Sequence, residues 1–285
     1  MSKADTPRRM VLLGASGKLG TLLREAWQAK PTEGVELIPV YRSRDGAESW
    51  QPGEDEPELG KVDAILAMWG VTPGPDANLS ENTRLALEAE RLGSALGADR
   101  VLHCSSAAVY KPGSEPLSED TQPNPQNAYG HAKLDMETTL LDWQTQHGTG
   151  PKPCIMRIGN VGGAESLFAA MSGRAPVTLD RFPEGQGPRR SYIAPEDLLH
   201  VVLGLATCAL KQLPTIVNVA APRATSMQEI VQAAGKDVAW RTAPEGANAL
   251  VELDTARLQK IVPLPQSAAD PERLVQFWAN RSDGA

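Results

Sequence analysis

Short apolar runs alternate with amphipathic stretches along about 220 residues of this 285-residue chain, and few folds accommodate that order. Residues 10–13 and 62–69 read as fully buried strands, and residues 35–41, 100–105, 153–158 and 215–219 as further strands. Residues 18–29, 79–96, 128–143 and 195–210 read as helices; in the first, Leu19, Leu22, Leu23, Ala26 and Trp27 share one face. Pro31 and Gly34 close that helix. Residues 42–60, rich in Gly, Pro and acids, read as a surface loop with a short strand at 49–51, and residues 111–126, with four prolines, as irregular. The alternation predicts an α/β protein built on a doubly wound (Rossmann) parallel sheet covered on both faces. Residues 161–187 and 221–285 interrupt the alternation, and we assign them to a smaller, C-terminal substrate lobe over the strand ends. Residues 1–160 and 188–220 form the main unit.

Gly14-Ala15-Ser16-Gly17-Lys18-Leu19-Gly20 follows the first strand and opens the first helix. Gly14 suits a tight strand-to-helix turn, Gly17 lets backbone N–H groups approach a pyrophosphate, and Gly20 lets helix and strand pack closely. The helix N-terminus adds positive potential, so Gly14, Ser16, Gly17, Lys18, Leu19 and Gly20 are candidate cofactor contacts. A solvent-filled glycine turn is the plainer alternative. The end of the second strand selects the nucleotide. It carries Tyr41, Arg42, Ser43 and Arg44, with no acid before Asp45. Two guanidiniums and a hydroxyl suit a ribose 2′-phosphate, so Arg42, Ser43 and Arg44 favour NADP over NAD, unless they form only a solvated basic turn. Trp69 ends the third strand near the expected nicotinamide; it is either a wall of the pocket or part of the core.

Tyr129 and Lys133 sit four apart at the start of a helix, on one face. Ser106 lies upstream, at the end of a strand. A glycine turn, a Ser and a Tyr-x-x-x-Lys pair in this order suggest hydride transfer with a nicotinamide cofactor. Lowering a phenol pKa by roughly 3 units takes about 4 kcal/mol of differential interaction, which Lys133 and an oxidised nicotinamide supply together. Tyr129 is then the general acid/base, Lys133 its activator and a ribose contact, and Ser106 the donor that steadies the reacting oxygen.

With these elements in place, residues 10–220 resemble the extended short-chain dehydrogenase/reductase superfamily, and within it the NAD-dependent epimerase/dehydratase family. The stretch from Gly14 to Gly20 matches the family's cofactor turn, Asn82 the Asn that opens its fourth helix, and Ser106 its catalytic Ser/Thr. Tyr129 and Lys133 match its Tyr-x-x-x-Lys pair. Arg157-Ile158-Gly159-Asn160-Val161 resembles its Arg-x-x-Asn-Val stretch, Arg190-Ser191-Tyr192-Ile193 its Arg-Asp-Phe-Ile element, and Asn218-Val219-Ala220 its closing strand. The resemblance implies a small hydroxyl- or carbonyl-bearing substrate, sugar-derived in many members, and a homodimer through the helices at 79–96 and 128–143. Asn160 then touches substrate or shapes a turn. Arg190 binds an anionic substrate group or is solvated, and Asn82 is functional or a helix cap. The departures are specific. The family's Asp-hydrophobic adenine pair is missing where Trp50-Gln51 stands. Ala107-Ala108 replaces the dehydratase Asp-Glu pair, and the stretch from Gly163 to Gly173 is short for gripping a nucleotide-sugar. A rival reading is a non-catalytic NADP(H) sensor; the intact Ser106, Tyr129 and Lys133 weigh against it.

The remaining features exclude more than they assign. Net charge is −7 with no basic patch, which argues against nucleic acid. Cys104, Cys154 and Cys208 are scattered, without metal-ligand spacing, so no metal is expected, and Cys104 and Cys154 read as core thiols. His103 reads as packed near the sheet and His131 as exposed. The apolar stretch at 198–210 is too short to span a bilayer, so no membrane partner and a cytoplasmic location are the simplest expectations.

Overall fold

The computed structural model describes residues 7–42 and 47–282. Its first half runs β1 (Arg8–Leu13), α1 (Lys18–Ala29), β2 (Val35–Val40), β3 (Ala64–Ala67), α2 (Glu81–Ala95), β4 (Arg100–Ser106), α3 (Ala128–His147) and β5 (Lys152–Ile158). There follow β6 (Asn160–Val161), α4 (Ser166–Met171), β7 (Val177–Arg181), β8 (Arg189–Arg190), β9 (Tyr192–Ile193), α5 (Pro195–Thr207) and β10 (Ile216–Val219). The chain closes with β11 (Thr225–Ser226), α6 (Met227–Ala233), β12 (Val238–Thr242), β13 (Leu250–Val251), α7 (Ala256–Gln259) and α8 (Pro271–Ser282).

Six parallel strands form the main sheet in the order β10-β5-β4-β3-β1-β2, the doubly wound arrangement expected. Burial on both faces explains the apolar runs. In β1, Met10 and Leu12 join the core under α1 and α5, whereas Val11 and Leu13 join the core under α2. α1 presents Leu22, Leu23 and Ala26 to the first of these. Beyond β2 the expected strand at 49–51 reduces to a single bridge, Tyr41 to Ser49. β3 is shorter than expected because the chain turns out of the sheet at Met68, whose N–H reaches Leu13 O and Leu66 O. α3 runs on to His147, four residues past its expected end at 143.

β1 pairs with β2 on one side and β3 on the other, so a crevice opens at the carboxyl ends of β1 and β3. A second core gathers Leu167, Phe168, Leu179, Tyr192, Ile230 and Leu274, so Tyr192, from the stretch 188–220, packs with residues of 161–187 and 221–285. Residues 221–285 also reach the main core: Leu258, Val262, Leu264, Ala268 and Ala269 pack with α1 and α5. Contact there is close; a Cβ on Gly204 of α5 would lie 2.5 Å from a Val262 methyl. Among the described residues no helix is long and apolar enough to cross a membrane, and no cluster of His, Cys, Asp or Glu is arranged to hold a metal ion.

Candidate active site

The glycine turn is a cradle fixed by close backbone contact. Gly14 turns at φ +80°, and a Cβ on it would lie 2.8 Å from the Trp69 backbone. The Gly14 carbonyl accepts the Gly17 N–H at 2.9 Å, and a Cβ on Gly20 would lie 2.1 Å from that carbonyl oxygen. Neither position admits a side chain, so α1 is drawn in against β1 with its N-terminus facing the crevice. Ser16, Gly17 and Lys18 are exposed there, beside the N–H groups of a first helical turn that have no intrahelical acceptor. The donor set fits a pyrophosphate.

A cleft of about 490 Å³ runs from this turn. Gly14, Ser16, Gly17, Lys18 and Leu19 line one bank; Gly20 does its work behind them, in packing. Tyr41, Arg42, Trp50 and Pro52 line the end beside β2. Ser43 and Arg44 lie outside the described residues. Trp69, Gly70, Val71 and Thr72 form the floor beyond β3, and Cys104, Tyr129 and Lys133 the opposite end. Trp69 sits against Gly14 and stacks on Trp50, ring centroids 5.8 Å apart, so its ring belongs to the β2 end of the cleft and not to the nicotinamide side expected.

Local sequence sets the catalytic geometry. The Asn127 side chain caps α3 by accepting the Gly130 N–H at 2.9 Å, which places Tyr129 in the first turn and Lys133 one turn later. Lys133 is 2% exposed, and its Nζ donates to the Cys104 carbonyl at 2.8 Å. Burial lowers its pKa from the ordinary lysine value. Ser106 ends β4, where its Oγ accepts the Ala108 N–H at 3.1 Å and its hydroxyl engages the Tyr129 phenol. Burial pushes that phenol well above its ordinary value, and the Ser106 hydrogen bond opposes the shift. The Lys133 ammonium, 5.8 Å from the Tyr129 ring centroid and bonded to Cys104, does not by itself bring the phenol down.

A buried polar network stands behind this trio. Glu137, one turn past Lys133, accepts the Ser105 hydroxyl at 2.5 Å and pairs with Arg157 at 2.7 Å. Arg157 Nη1 donates to the Tyr110 hydroxyl at 2.8 Å, which donates to Asn218 Oδ1 at 2.9 Å. Asn218 Nδ2 donates in turn to the carbonyls of Leu117 (2.7 Å) and Asp254 (3.0 Å). The family-like motifs around Arg157 and Asn218 thus meet inside the protein. Glu137 went unread in the sequence; its one signal is its place on the Tyr129–Lys133 face.

Other expected residues lie elsewhere. Asn160 and Arg190 are outside the cleft lining. Asn160 hydrogen-bonds Tyr192, whose hydroxyl donates to Glu165 at 3.0 Å, and the Arg190 guanidinium donates to the carbonyls of Arg189, Asn248 and Ala249. Asn82 neither caps α2 nor lines the cleft. It clamps the loop beyond β3, accepting the Val71 N–H at 3.1 Å and donating to Val71 O at 3.0 Å. His103 is buried against Glu90 at 2.6 Å, and His131 is exposed. Cys154 is buried as expected. Cys104 packs against the core, as expected, but is only half-buried and also lines the cleft, with burial raising its thiol pKa.

Comparison with known proteins shows the family and the fold. A family model, the NAD dependent epimerase/dehydratase family, matches residues 10–220. The chain is similar to a UDP-glucose 4-epimerase of Lactobacillus helveticus, at 30% identity over an alignment of 155 residues, with 46% of this chain and 46% of the relative covered. A probable UDP-arabinose 4-epimerase 3 of Oryza sativa subsp. japonica is 28% identical over 186 residues, 56% of this chain and 45% of the relative. The chain therefore spans under half the length of these curated relatives. Solved structures share the fold along nearly the whole chain. The NDP-hexosamine 5,6-dehydratase TunA superposes with a TM-score of 0.78 at 18% identity, covering 98% of both chains. RMD from Pseudomonas aeruginosa, complexed with NADPH, gives 0.75 at 21%, covering 97% of this chain and 99% of that one. UDP-glucose 4-epimerase from Brucella ovis, in complex with NAD, gives 0.75 at 19%, covering 96% and 98%.

Proposed function

This chain belongs to the NAD dependent epimerase/dehydratase family, a family of enzymes, and we propose that it is an NADP-preferring oxidoreductase or epimerase acting on a hydroxyl or carbonyl carbon of a small, sugar-derived compound. One observation carries the reading: Tyr129 and Lys133 line one end of the cleft that begins at the glycine turn, with Ser106 outside the lining and hydrogen-bonded to the Tyr129 phenol. The chemistry a bound nicotinamide supplies here is reversible hydride transfer. Gly14, Ser16, Gly17, Lys18 and Leu19 hold the pyrophosphate, and Lys133 reaches the adjoining ribose.

Tyr129 carries the proton. Its buried phenol is protonated at neutral pH, which suits it to donate from Oη to an oxygen gaining negative charge. Ser106 steadies that oxygen with a hydrogen bond and stabilises the phenolate that Tyr129 becomes. In the opposite direction the phenolate takes the proton back from a substrate hydroxyl. Lys133 adds positive charge at short range, held in place by the Cys104 carbonyl.

Arg42 supports the NADP preference: it lines the cleft just past β2, where no acid precedes Asp45. NADPH in the Pseudomonas aeruginosa neighbour and NAD in the Brucella ovis one fit either cofactor to this fold. Residues 161–187 and 221–285 carry the substrate over residues 1–160 and 188–220, in a cytoplasmic enzyme that dimerises through α2 and α3. The test begins with calorimetric titration of NADPH and NADH; tighter NADH binding overturns the preference. A panel of carbonyl compounds, free sugars and UDP-sugars then separates the activities. A reductase consumes NADPH, an epimerase interconverts isomers without net consumption, and binding without any turnover points to the sensor reading instead.

A further inference from the structure

Trp50 and Trp69 are the unusual part of the cleft. Both rings line it, stacked with centroids 5.8 Å apart and planes 28° from parallel. Trp50 is only 5% exposed. The indole Nε1 atoms of both are shielded from solvent and, among the described residues, have no hydrogen-bond acceptor. Folded proteins seldom leave a buried donor unpaired, and here two stand side by side in a ligand cleft.

We propose that Trp50 and Trp69 form an indole clamp for the adenine of the dinucleotide, their two N–H groups serving as donors to the ring nitrogens of the purine. This rests on the cofactor reading above and narrows it to these side chains. Position supplies the first argument. The glycine turn fixes the pyrophosphate, and Ser106, Tyr129 and Lys133 claim one side of it. The Trp69 backbone packs on Gly14, and Trp50 lies beyond it with Tyr41 and Arg42, so the pair occupies the side left for the second nucleoside. Chemistry supplies the second. Indole is a donor without an acceptor, and a purine offers acceptor nitrogens in a flat ring that stacks on aromatic faces. Because the N–H groups are shielded while the rings are stacked, a purine enters by parting the stack, with the half-buried Trp69 turning.

The test uses the intact protein with 2′,5′-ADP, AMP and NMN as probes, read by calorimetry and by tryptophan emission. The expected result is that 2′,5′-ADP and AMP change the emission and NMN does not. Trp69→Phe and Trp50→Phe keep an aromatic face without the N–H. Each should weaken 2′,5′-ADP binding about 3–10-fold, the range expected for one hydrogen bond, with NMN binding unchanged. Unchanged 2′,5′-ADP affinity in both variants overturns the clamp, as does an equal emission change with NMN. If the wild-type protein binds neither NADPH nor NADH, the cofactor reading falls and the clamp with it. NADPH binding to which both variants are indifferent removes the clamp alone.

Discussion

The two ends of the cleft are built on different terms. At the Tyr129 end the supporting polar groups are already satisfied within the protein: Lys133 by the Cys104 carbonyl, Ser105 by Glu137, Glu137 by Arg157, Arg157 by Tyr110. At the tryptophan end two buried donors lack acceptors among the described residues. The first arrangement fixes atoms before any ligand arrives, which proton transfer demands because small misplacements are expensive in rate. The second leaves hydrogen-bonding capacity that a ligand can complete, which suffices for binding.

The comparison breaks most decisively at the phenol. Tyr129→Phe should lower turnover by about 10²–10⁴-fold while leaving NADPH affinity within a few-fold; undiminished turnover removes the catalytic assignment of that end. Glu137→Ala leaves Arg157 buried without its partner and should cost about 3–5 kcal/mol in denaturant unfolding. A paired change, Glu137→Leu with Arg157→Met, should recover much of that loss, because the cost lies in the unmatched charge. Gly20→Ala tests the cradle between the two ends. Its Cβ meets the Gly14 carbonyl, so a loss of about 1–3 kcal/mol is expected, with NADPH binding weakened.

Residues away from the cleft sharpen the contrast by their mildness. Burial raises the Glu165 pKa above its ordinary value, so the folded state holds that proton more tightly than the unfolded one. Its contribution is present below the unfolded pKa of 4.5 and is lost as pH rises through the folded value. Thermal unfolding of wild type and Glu165→Gln across that window should diverge in wild type's favour toward acid; parallel curves refute the assignment. Arg241→Ala, which removes an exposed pair with Asp180 in β7, should change unfolding free energy by no more than about 1 kcal/mol.

What was legible in the sequence follows from range. The strands announced themselves because burial on both faces demands unbroken apolar runs such as Met10–Val11–Leu12–Leu13. The glycine turn and the Tyr129–Lys133 pair are set by local spacing, which a sequence displays directly. Trp50 stands in the sequence where another residue type is expected, and its place depends on the Tyr41–Ser49 bridge closing a long loop. Glu137 on a helix reads as a solvated acid until Arg157 arrives from a strand twenty residues away. Asn82 does not cap α2; it clamps the loop beyond β3, a partner that is in place only once β3 has ended early. Arg190 stands in a family-like motif, and its guanidinium donates to three backbone carbonyls that no local pattern announces.

The packing of Leu258, Val262 and Leu264 beneath α5 has a bearing on how the molecule comes into being. A nascent chain that has emerged only as far as β10 possesses all six sheet strands and yet lacks part of the layer that seals them. The order of synthesis and the order of burial therefore differ: that flank of the sheet, already carrying α1 and α5, is fully covered only when residues 258–269 have been made.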